Sequence, residues 1–150
     1  HKDYCDVEDQ RLDSDPTYKR KPAHKPWEKV AETYREANRS SADHIQVKLR
    51  SVGRILVPKG EGSEAPLSDH EIELLAEMEH RRWWAERSLD GWKFAKNRND
   101  SLKEHPNMVP YDQLDGASKD NDRNNVRKML KIQKGEDQII VMGNVALNKA

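Results

Sequence analysis

The stretch Glu79-His80-Arg81-Arg82-Trp83-Trp84-Ala85-Glu86-Arg87, running on to Gly91-Trp92, holds the residue types best suited to chemistry. Three of the chain's four tryptophans fall within ten residues there. An indole flanked by Arg and Glu suits a flat heterocycle: the ring stacks, Glu accepts from exocyclic amines, and Arg holds phosphate. The competing reading is that Trp83, Trp84 and Trp92 are all structural, covering a small core, and pattern alone leans towards it.

Signatures of catalysis and of metal binding are missing from the sequence. His80 and His105 belong to no ligand spacing such as His-x-x-x-His. Cys5 is the one cysteine, which excludes an internal disulfide and a cysteine-based zinc site. There is no glycine-rich phosphate loop, nucleophile elbow or cysteine–histidine pair. No catalytic residue, metal ligand or cofactor is therefore assigned, and the chain is expected not to be an enzyme. Glu79 and Glu86 share a helix face, where paired carboxylates are usually solvated. His44 reads as a surface residue, and His105-Pro106 as a loop fixed by the extended conformation that precedes proline.

The elements that must position these groups are mainly helical. Residues 1–26 are polar, contain Pro16, Pro22, Pro26 and the basic Lys19-Arg20-Lys21, and show no hydrophobic period, so an extended or disordered arm is expected. Residues 27–66 form a helical lead-in and a short strand. Trp27, Val30, Ala31, Tyr34, Ile45, Leu49 and Val52 fall near one helix face, interrupted at Asn38 and Ser41, and Gly53 is the stop. Ile55-Leu56-Val57 reads as a strand. Residues 67–143 form the main domain. Ser68 and Glu71 make a capping box opening a helix from about Asp69 to Leu89 or Asp90. Its core stripe is expected to be Leu74, Leu75, Met78, Ala85 and Leu89, with Trp83 well off it at about 100° per residue. Pro110 to Leu114 suits a single helical turn, and 118–134 a further helix with Val126, Met129 and Leu130 inward. Ile139 to Met142 reads as a second strand that could pair with 55–57. Residues 144–150 are a tail expected to fray.

Composition narrows the function classes. Of 150 residues, 34% are hydrophobic and 36% charged, which leaves a small core. Basic and acidic residues number 27 each, so no large electrostatic footprint for DNA or RNA is expected. No apolar run approaches a membrane span, and nothing resembles a signal peptide. A cytoplasmic location is expected. The chain begins at His1, and a missing upstream portion is expected.

Several motifs in order resemble the repeat domain of ryanodine receptors. They are Glu79-His80-Arg81-Arg82-Trp83, Gly91-Trp92-Lys93-Phe94, Arg98-Asn99-Asp100, and His105-Pro106-Asn107-Met108-Val109-Pro110-Tyr111. That family reads His-x-x-Trp, Gly-Trp-x-Tyr-Gly, Arg-Asp-Asp and Leu-His-Pro-x-Leu-Val-Pro at similar spacing. Asn121 to Arg127 resembles its closing helix, so the likeness covers about residues 67–135. The departures are Phe94 for Tyr, Ala95-Lys96 for Gly-Pro, and Asn99 for the first Asp, which leaves no carboxylate at that position. The upstream Arg35 to Arg39, Ala42-Asp43-His44 and Lys48-Leu49 are similar to the segment preceding the repeat in bacterial members, implying a bacterial or phage origin.

The resemblance implies a mainly α fold with short β-strands that works as paired repeats. It implies binding of adenine-containing nucleotides, with the ring held between tryptophans of the His-x-x-Trp motif. Carried over, Trp83 stacks the base, Arg82, Arg87 and Arg98 are available for phosphate, Glu79 and Asp100 for amine or ribose contacts, and His80 and Trp92 complete the expected ligand site. The second ring then comes from another subunit, as in a homodimer, or from Trp92. Three hypotheses follow. The first is a sensor that binds an adenine-type or cyclic nucleotide and controls an attached upstream domain or a partner. The second is a protein-interaction or structural module with no small-molecule ligand. The third and weakest is a nucleotide-processing enzyme with His80, His105 and Asp100 in acid–base roles.

Overall fold

A computed structural model describes residues 1–143 of the chain. The tail assigned to 144–150 lies outside the described residues. The fold is mainly helical with short strands. In chain order the elements are α1 (Lys2–Ser14), a 3-10 turn (Trp27–Lys29), α2 (Glu32–Ser51), β1 (Arg54–Pro58), α3 (Asp69–Leu89), β2 (Lys93–Phe94), β3 (Glu104–His105), a second 3-10 turn (Tyr111–Gln113), α4 (Gly116–Lys134) and β4 (Gln138–Met142). The chain divides into two compact units, His1–Ser40 and Ser41–Ala150.

The first unit corrects one expectation. Residues 1–26 are not an extended arm: α1 occupies thirteen of them. Its organiser is polar, which is why no hydrophobic period announces it. Glu8 is 1% exposed. Its carboxylate accepts from Arg11 at 3.0 Å, from Lys21 at 3.2 Å and from the Tyr18 hydroxyl. Asp9 pairs with His24 Nε2 at 2.9 Å. Asp15 turns the chain back after α1 by accepting from the Thr17 amide and hydroxyl. Satisfied hydrogen bonds and ion pairs close this segment where an apolar stripe would otherwise be needed.

The second unit is built on an apolar core of Ile45 and Leu49 from α2, Ile72 and Leu75 from α3, Val126 and Leu130 from α4, and Ile140 from β4. Each such side chain contributes about 1.5–3 kcal/mol on full burial. β1 and β4 pair antiparallel, with Leu56 opposite Ile140. The sheet thus brings the chain's end back onto the segment that follows α2. Ala65 N–H donates to the Ile140 carbonyl at 2.8 Å and ties the β1–α3 loop to the same strand.

The predicted start of α3 is present. Glu71 N–H donates to Ser68 Oγ at 3.2 Å, and Ser68 N–H donates to Glu71 Oε2 at 2.8 Å. Gly91 and Gly135, at φ of 83° and 54°, sit just past α3 and α4 in the left-handed region that glycine enters without steric cost.

The buried face of α3 differs from expectation. Leu74 and Leu89 are 42% and 91% exposed, whereas Ile72, Leu75, Ala76, Glu79 and His80 are buried. The helix is rotated from its apparent apolar stripe because its second half buries charge. A hydrophobic pattern cannot register that.

Candidate functional site

The C-terminal half of α3 rests on a closed charge network. Glu79, 3% exposed, has both oxygens occupied. Oε1 accepts from Arg82 Nη2 at 2.8 Å, Asn125 Nδ2 at 2.9 Å and Ser41 Oγ at 3.1 Å. Oε2 accepts from Lys48 Nζ at 2.7 Å and Arg82 Nε at 3.0 Å. Arg82 also pairs with Glu86. Lys48 is 1% exposed and its ammonium lies 3.1 Å from His44 Nδ1. Burial opposes ionisation of Glu79, but the hydrogen bonds and charges of Arg82 and Lys48 outweigh it and hold the carboxyl below its ordinary range. The network staples α2, α3 and α4 together, and Glu79 is not the solvated carboxylate expected from its helix spacing.

His80 forms the next layer. It is 2% exposed. Its Nε2–H donates to the Val109 carbonyl at 2.7 Å, because a carbonyl can only accept. Nδ1 faces Asp122 at 3.4 Å. Burial disfavours the charged ring, yet Asp122 and Val109 together raise its pKa above the usual histidine value. The loop at 105–111 and α4 therefore converge on one imidazole.

Trp83 lies over this layer and is half-buried. His80 stacks on it, with centroids 5.6 Å apart and planes inclined by 28°. His105 meets it edge-on at 5.0 Å and 71°. Trp92 is buried, and its indole N–H donates to Asp90 at 3.1 Å. The Arg87 guanidinium sits over the Trp92 ring at 5.5 Å. Arg98 makes a two-pronged contact with Asp100 at 2.6 and 3.2 Å. Burial, with the nearby charges of Arg98 and Arg87 among its neighbours, pushes the His105 imidazole down to about 4, so it is neutral at physiological pH. His105 belongs to β3, which pairs in parallel with β2. This miniature sheet was not expected, since two residues per strand leave no alternation to detect.

The eight nominated residues thus separate. His80 and Trp83 are in ring contact, His105 joins Trp83 to Trp92, and Arg87 covers Trp92. Glu79 and Arg82 turn inward, and Arg98 and Asp100 hold one another in the loop between β2 and β3. Residues present in the sequence motifs but given no site role there include Lys48, Asn125, Asp122 and Asn107. Lys48 carried one usable signal: it falls between Ile45 and Leu49 on a face that is otherwise inward. Among the described residues, no group of three His, Cys, Asp or Glu side chains could hold a metal ion. A groove of about 270 Å³ lies elsewhere, between the β1–α3 loop, α3 and α4, lined by Leu67, Ile72, Arg127 and Leu130 among others. It includes none of the nominated residues.

This arrangement is that of a helical domain with an aromatic surface on a rigid charged base. Residues 66–136, just under half of the chain, match the family model of the RyR domain. No curated protein matches the sequence closely enough to count as a relative. No helix among the described residues is long and apolar enough to cross a membrane.

Proposed function

We propose that this RyR domain is a non-catalytic sensor module that stacks the base of an adenine-containing nucleotide, linear or cyclic, on Trp83 and thereby regulates an attached or partner protein. One observation carries the reading: the Trp83 indole is only partly covered on its helix, backed by His80, whose two ring nitrogens are both engaged. Such a ring is pre-organised, so little side-chain entropy is lost when a flat guest covers it. Arg87 and Arg98 lie near enough to influence His105 and are the phosphate contacts in this reading. Glu79 and Arg82 hold the helix beneath. A second indole comes from Trp92 after rearrangement or from another copy of the chain. Micromolar affinity, roughly 8 kcal/mol, suits a shallow stacked site.

The test is a titration of AMP, ATP, cyclic AMP and cyclic di-AMP followed by tryptophan fluorescence, repeated with Trp83→Ala. Quenching that saturates in the unaltered protein and disappears in the variant supports the reading. Flat curves for both proteins end it. They would favour a protein-interaction module instead, for which the outward Leu89, Phe94 and Leu102, at 91%, 57% and 61% exposure, are the natural contacts.

A further inference from the structure

We propose that His105 is a specificity-determining residue of the Trp83 site, presenting a fixed N–H donor to an in-plane acceptor of the stacked base. The inference rests on the stacking reading above and adds what that reading lacks, a group that tells one flat ring from another.

The Asn107 amide N–H donates to His105 Nδ1 at 3.1 Å. Nδ1 must therefore offer a lone pair, and in a neutral ring the proton resides on Nε2. Desolvation keeps the ring neutral through the physiological range. Nε2 is thus a donor whose charge and orientation do not change between weakly acid and weakly alkaline conditions.

Its surroundings leave that donor unused. Among the described residues no group accepts from Nε2. Among the described residues the fully buried polar atoms without a partner are His24 Nδ1 and Arg35 Nε, so Nε2 of the partly buried His105 keeps some contact with solvent. The contrast with His80 is direct, because both of its nitrogens are engaged within the fold. Of the two imidazoles touching Trp83, one is a brace and the other has a spare hydrogen bond.

The ring is also held in place. It stands edge-on to Trp83 at 5.0 Å and to Trp92 at 6.2 Å, and its backbone is pinned in β3 by pairing with Phe94. A base lying on Trp83 would meet the perpendicular imidazole at its rim. Purines place lone-pair nitrogens at that rim, and a ligand without an acceptor there would displace the water on Nε2 without replacing its hydrogen bond.

The experiment uses the full chain and the adenine series AMP, 1-deaza-AMP, 3-deaza-AMP and 7-deaza-AMP, each analogue lacking one ring acceptor. In the unaltered protein one analogue should bind roughly three- to tenfold more weakly than AMP, the others near AMP. His105→Phe should bind all four alike, at the weaker level, and His105→Gln, which keeps an N–H donor, should restore part of the discrimination. Equal affinity of the unaltered protein for all four overturns the proposal while leaving stacking intact. So does discrimination that survives in His105→Phe. Should AMP fail to bind, this inference falls; should all four nucleotides of the first titration fail, the stacking reading falls with it. The analogue series on the unaltered protein needs no variant to fold.

Discussion

The imidazole of His80 lies against the indole of Trp83, ring centroids 5.6 Å apart and planes inclined by 28°. The contact joins the most buried histidine of α3 to the aromatic ring that the functional reading places at the surface. It makes Trp83 part of the domain's structure as well as its candidate platform.

Replacing Trp83 with Ala should consequently cost stability as well as binding. A fully buried Phe or Trp loses about 3–5 kcal/mol on truncation to Ala. Trp83 is half-buried, so roughly 2 kcal/mol is expected, read from urea denaturation midpoints at unchanged m-value. Trp83→Phe should recover most of that loss, since it keeps an aromatic face over His80. No measurable loss for Trp83→Ala would mean the ring leans on nothing.

The two histidines at Trp83 should titrate in opposite directions. His80 has a folded pKa above its ordinary value of about 6.5. Its stabilising contribution is complete below that value and is lost as pH rises through the higher folded one. His105 has a folded pKa of about 4. Its contribution is complete above about 6.5 and is lost as pH falls towards 4. Ring-proton NMR titration should separate the two resonances on either side of the free-histidine value, and coincident midpoints would refute the assignment. His105→Gln should flatten the acid limb of stability against pH.

Glu79 is the residue whose neutralisation should damage the fold most. Glu79→Gln leaves Lys48 buried without a counter-charge and removes one of the carboxylates that hold Arg82. Breaking a buried pair from one side costs about 3–5 kcal/mol. Calorimetry should show a large fall in Tm. The double change Lys48→Met with Glu79→Gln should cost less than the two single changes added together, because the pair is removed together. Strict additivity would show that the contact carries no coupling.

At the other end of α3, Ser68→Ala should cost about 1 kcal/mol by removing the acceptor of the Glu71 amide. Ser68→Asp should retain most of the stability, since its carboxylate can take the same amide and suits a helix N-terminus. Equilibrium denaturation of the two variants side by side would check this.

Much of the domain was readable before any coordinates. The box at Ser68 and Glu71, the stops at Gly91 and Gly135, the turn after Pro110 and the pairing of 55–57 with 139–142 all rest on local chemistry or on strong β-branched runs. Ordered short motifs were enough to locate the stretch that matches the RyR domain model, residues 66–136. What those signals share is that each depends on residues near one another in the chain.

Tertiary structure decided the rest. It turned Glu79 and Arg82 inward, left Leu74 and Leu89 outside, and gave Glu8 enough partners to close a helix where no apolar period exists. It also divided the labour of two histidines 25 positions apart, by setting Asp122 and Val109 on the two nitrogens of His80 and the Asn107 amide on Nδ1 of His105. A charged or titratable side chain can be buried or exposed according to whether partners arrive from distant segments. The free energy of that choice resides in the assembled neighbours and has no local pattern in the chain.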